Sequence, residues 1–69
     1  MQLKQITATK YRHETELMCI DVEKKDKDWV IWIQTRENSH NHVEATFNGA
    51  VAFATTFWRD LIGKEFRDD

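Results

Sequence analysis

The chain has 69 residues, of which 41% are apolar and 32% charged, and a formal net charge of −2. That length allows one domain spanning 1–69 that buries only roughly 60% of its extended surface, which excludes a separate catalytic domain and disfavours a deep cleft. The mildly acidic balance also argues against a general nucleic-acid binder, which carries a clear basic surplus.

Residues 3–11 are rich in Thr and Ile and read as a first strand, with Lys4, Lys10 and Arg12 on one parity. The first 13 residues hold these three bases and no acid; the remaining seven bases and all twelve acids lie in 14–69. Arg12-His13-Glu14-Thr15 reads as a turn. Residues 17–23 alternate Met18, Ile20 and Val22 against Leu17, Cys19 and Asp21, a half-buried strand. Lys24-Lys25-Asp26-Lys27-Asp28 is a charged hairpin loop.

The strongest strand signal covers 29–36. Trp29-Val30-Ile31-Trp32-Ile33 is apolar on both parities, so a strand here offers apolar groups to both sheet faces. One helix covers one face of a sheet, and something else must shield the other. Glu37-Asn38-Ser39-His40-Asn41 is a second polar turn, and residues 42–47 form a short strand with Val43, Ala45 and Phe47 pointing inward. The period then changes. Asn48 is positioned to cap a helix in which Ala50, Phe53, Ala54, Phe57, Trp58, Leu61 and Ile62 recur at spacings of three and four. Gly63 is the expected C-cap, and Phe66 is expected to tuck against the helix end.

The expected fold is α+β: an antiparallel meander of three or four strands with one C-terminal helix packed on one face, ββββα or βββα. The core face should carry Met18, Ile20, Val22, Trp29, Ile31, Ile33, Val43, Ala45 and Phe47. Val30 and Trp32 then lie on the other face, flanked by Leu17, Cys19, Asp21, Gln34 and Arg36. An aromatic among polar neighbours suits an interface. Opposite parity would make Trp32 core and hand the same role to Trp29. Burying such a ring fully is worth about 2–3 kcal/mol.

The chemical motifs are weak. His40 and His42, at i and i+2, share a parity with Glu44 and could hold zinc or nickel if His13 joined them, but the bland reading is a polar turn, and no metal or other cofactor is expected. Cys19 falls in mid-strand and reads as an ordinary half-buried thiol rather than a nucleophile for His13. Ser39 beside His40 has no elbow motif, and Glu14 with Glu16 has nothing to split their pKa values. With one cysteine no internal disulfide forms, no apolar signal run opens the chain and no stretch approaches membrane-spanning length, so a reducing cytoplasmic setting without a membrane partner is expected.

These features lead to a non-enzymatic protein–protein interaction module that docks a sheet face on another protein or homodimerises, with Trp32, Val30, Arg36, Tyr11, Lys10 and Arg12 as the partner-binding set. Motif-free single domains of this size are common among inhibitors and adaptors encoded by phages and mobile elements, an expectation that rests on prevalence rather than on a residue. The alternative is a small nucleic-acid-binding regulator using the basic first strand, since sheets that read DNA present basic and aromatic side chains from one face. Against it, Lys on an edge strand also discourages pairing with other chains.

Overall fold

A computed structural model describes residues 1–65, with side chains described through residue 60. Five strands form one antiparallel meander in sequence order: β1 (Lys4–Thr7), β2 (Lys10–Glu14), β3 (Met18–Lys25), β4 (Asp28–Thr35) and β5 (Ser39–Glu44). The helix α1 (Phe47–Glu65) follows. The α+β meander with a C-terminal helix is thus as expected, with five strands in place of three or four. The extra strand arises because 3–11 is not one strand. It folds at Ala8-Thr9, where the Thr9 amide donates to Thr7 Oγ1 at 3.3 Å. Arg12, His13 and Glu14, expected in a turn, lie in β2, where they pair with Asp21, Ile20 and Cys19.

Each later turn has a local cause. Thr15 closes the β2–β3 turn: its hydroxyl accepts from the Leu17 and Met18 amides at 3.1 and 3.2 Å. Asp26 takes φ 57° in the β3–β4 hairpin, a region that Asp tolerates better than bulkier residues. Thr35 repeats the role of Thr15 between β4 and β5, with its hydroxyl accepting from the Asn38 amide at 3.1 Å.

These turns set the register, and the register assigns the faces. On the helix side, Tyr11 pairs with Val22, Val22 with Ile31 and Ile31 with His42. His13, Ile20, Ile33 and His40 form the next row. Met18, Ile20, Val22, Ile31 and Ile33 are buried there against Ala50 and Ala54, whose small side chains let the helix approach closely. Trp29 joins this face, with its ring 4.9 Å from Phe47 and 6.4 Å from Tyr11.

Three expectations about the last third of the chain need correction. The strand placed at 42–47 ends at Glu44, and its phase is inverted. Val43 is 54% exposed on the face away from the helix, and Ala45 is exposed in the bend. His40 and His42 face the helix instead, where His42 stacks on Phe53 at 3.7 Å and 10° and His40 lies 5.1 Å from Phe57. Flat apolar rings offer imidazoles a good packing surface, so the helix accepts His where aliphatic residues were expected. Phe47 does reach the core, but from the first turn of the helix. Thr46 caps that turn, with its Oγ1 accepting from the Gly49 amide at 3.0 Å; Asn48 is already inside the helix. At the other end α1 continues through Gly63 to Glu65, so Gly63 is no C-cap. The side chains of Leu61 and Ile62, and all of Phe66, lie outside the described residues. None of the described helix is long and apolar enough to cross a membrane.

Candidate interaction surface

The helix packs on β3, β4 and β5 from one side only, with Tyr11 and His13 of β2 also under it. The opposite face of the sheet has no covering element among the described residues. Three cross-strand rows make up the middle of this open face, with the pair Lys25 and Asp28 at the hairpin end. Lys10, Glu23, Val30 and Val43 form one; Lys4, Arg12, Asp21, Trp32 and Asn41 form the central one; Glu14, Cys19, Gln34 and Ser39 form the third.

Trp32 therefore sits in the middle row, half-buried by its neighbours rather than by a second layer. The ammonium of Lys25 reaches over its ring, 5.6 Å from the centroid, a cation–π contact. Val30 lies half-buried one row away, directly opposite the exposed Val43. Ile6, 49% exposed, lines a surface depression with Lys4 and Arg12 near a break in the β1–β2 register.

The charges on this face are ordered. Arg12 Nε donates to Asp21 Oδ1 at 2.7 Å and Arg12 Nη2 to Asp21 Oδ2 at 3.3 Å, a two-point clamp across β2 and β3. The hydrogen bond to Asp21, and then its charge, raise the Arg12 pKa above its ordinary value, so the guanidinium stays charged. Cys19 is pushed up chiefly by burial and then by the charge of Asp21, which works against a thiolate nucleophile.

Of the six residues expected to bind a partner, Trp32, Val30, Lys10 and Arg12 are brought together on the open face. Tyr11 is not: it points under the helix, 4.9 Å from Phe47. Arg36 lies in the β4–β5 turn and shares a shallow depression with Cys19 and Gln34 at the sheet end. Leu17, expected to flank Trp32, is in the β2–β3 turn. Lys4, read on one parity with Lys10 and Arg12, does lie on this face, and Glu23 and Val43 join it because only the strand register shows which residues share a row.

The histidine cluster does not assemble. His13 is on β2 and His40 and His42 are on β5, with β3 and β4 between them, a separation of about 14 Å at ordinary strand spacing. The Nδ1 of His13 lies 3.0 Å from the Gln2 carbonyl oxygen, and His42 Nε2 pairs with the Glu44 carboxylate. Among the described residues no group of three or more ligand-type side chains is placed to hold a metal ion. Comparison with family models, with curated proteins and with solved structures gave no match for this chain.

Proposed function

We propose that this chain is a non-enzymatic interaction module whose open sheet face docks on a polypeptide. The observation that carries this reading is the position of Trp32: a large aromatic at the centre of an uncovered face, flanked by Val30 and Val43 and rimmed by charged residues. An apolar anchor inside a polar rim is the usual anatomy of a protein interface. A cytoplasmic setting suits the free, half-buried Cys19. The role of an inhibitor or adaptor fits a domain with this much surface and little interior.

A photo-crosslinking amino acid placed at Ile6, exposed on the same face, tests the reading in cells. Polypeptide adducts that disappear when Trp32→Ala is added, in a protein that still melts cooperatively, support it. Adducts only to nucleic acid, or none of any kind, refute it.

A second reading, nucleic-acid binding, is favoured by one observation: Lys4 lies directly across from Arg12 and on the same face as Lys10 and Trp32. The clamp between Arg12 and Asp21 and the nearby Glu14 and Glu23 weaken it, since they offset the field that phosphates would meet. This reading predicts binding that falls steeply with salt and is lost on reversing Lys10 and Arg12.

A further inference from the structure

The charges of the open face say which polypeptide fits it best. In the two middle rows of β2 and β3 they are of opposite sign, Lys10 beside Glu23 and Arg12 beside Asp21, with Glu14 beyond Arg12 on β2 and Lys25 beyond Glu23 on β3. Outside them lie Lys4 and Ile6 on β1 and Val30 and Trp32 on β4. We propose that the open face pairs with the same face of a second copy of this chain, about a twofold axis that runs along the strands over the β2–β3 boundary. The proposal rests on the docking role of this face and names its occupant.

Charge separates the possible twofold arrangements. A twofold axis in the interface plane and parallel to the strands keeps each row in place and exchanges strands across the axis. Over the β2–β3 boundary it sets Lys10 of one copy against Glu23 of the other, and Arg12 against Asp21, each contact occurring twice. The same operation places Ile6 near Val30 and the alkyl stem of Lys4 against the edge of Trp32, whose ring face the Lys25 ammonium already covers. Moved onto β3, the axis would set Glu23 against Glu23. Moved to the β3–β4 boundary, it would set Lys10 against Val43 and Arg12 against Asn41. Turned across the strands, it would stack β1 on β1 and β2 on β2, with Lys10 and Arg12 massed against their own copies. Of these arrangements only the first sets opposite charges against each other in both the Lys10 and the Arg12 rows, and like charges facing each other across an interface cost several kcal/mol.

The spacing and size also fit. Packed sheets lie about 10 Å apart with strands within about 30° of each other, a gap that an extended Lys and Glu can bridge tip to tip. Four overlapping strands cover roughly 20 by 20 Å, on the order of 1,000 Å² of accessible surface for two copies, which is the low end for a specific interface. The dimer is therefore weak, with a Kd on the order of micromolar or above.

Equilibrium sedimentation of two single reversals, Lys10→Glu and Glu23→Lys, tests the arrangement. The wild-type chain should self-associate. Each variant alone should lose association by about 100-fold or more, because two complementary contacts become two like-charged ones. An equimolar mixture of the two should regain it as a heterodimer. One contact then sets the two substituted side chains, of opposite sign, against each other. The other sets the unchanged Glu23 of the first variant against the unchanged Lys10 of the second. Within each chain the β2–β3 neighbours remain like-charged in the mixture, so recovery cannot come from inside a subunit. Melting curves of both variants establish that they are folded. A mixture that stays monomeric while the wild type associates overturns the twofold arrangement. A wild type that stays monomeric to about 1 mM overturns the proposal. In either case polypeptide adducts at Ile6 would keep the docking role with a different protein, and their absence would remove both.

Discussion

Ile31 and Trp32 are consecutive residues on opposite faces of one strand, so replacing each by alanine separates the two faces energetically. Ile31 has no exposed surface and lies under the helix among Ile20, Ile33 and Val22. Its truncation removes buried methyl groups and leaves a cavity that a small sheet cannot collapse, at a cost of about 3–4 kcal/mol. Trp32 is half-buried, with no second layer over it, so its truncation costs about 1 kcal/mol through lost contact with its row and with Lys25. For 69 residues the unfolding entropy near the melting point is about 0.14 kcal/mol/K, so each kcal/mol shifts Tm by about 7 °C. Ile31→Ala should then lower Tm by about 20–28 °C and Trp32→Ala by about 7 °C. Thermal melts followed by circular dichroism read both values. They should be recorded on dilute protein, so that association does not add to the wild-type stability. A Trp32→Ala shift as large as that of Ile31→Ala would mean the ring is core, and the case for an open face would collapse.

Two further outcomes follow from local structure. Thr46→Ala should cost about 1 kcal/mol, or about 7 °C, because the Gly49 amide loses its acceptor, whereas Asn48→Ala should change Tm by no more than a few degrees; paired melts decide which residue is the cap. For Cys19 the folded pKa is raised by burial and by Asp21, so the proton is held more tightly in the folded chain than in the unfolded one. Its alkylation by iodoacetamide should therefore be slower than that of the urea-unfolded chain near pH 8, and its contribution to stability, present below the unfolded thiol pKa, should fade as pH rises through the folded value. Equal alkylation rates in the two states would contradict the burial.

The architecture was legible because two periodicities dominate the chain. Met18, Ile20 and Val22 alternate as a half-buried strand must, and the spacing of Ala50, Phe53, Ala54 and Phe57 is that of one helix face. The placement of Trp32 opposite Ile31 and Ile33 followed from the same alternation. The errors lie where periodicity is silent. Ala8-Thr9 turns the chain without Gly, Pro, Asn or Asp, so nothing marked the break between β1 and β2. Phe47 extends the apparent alternation of Val43 and Ala45, which drew the last strand into the start of the helix and set its phase wrong. Thr46 and Asn48 are both good caps, and composition alone does not choose between them. The rows of the open face depend on register, which the turns at Thr15, Asp26 and Thr35 impose across long sequence separations.

The central claim is that the open face around Trp32 pairs with the same face of a second copy. Light scattering across a wide concentration range, on the wild type and on folded Trp32→Ala, tests it most directly. The wild-type mass should rise from 8.3 kDa toward twice that value while Trp32→Ala stays at 8.3 kDa. Identical masses for the two chains at every concentration would contradict it.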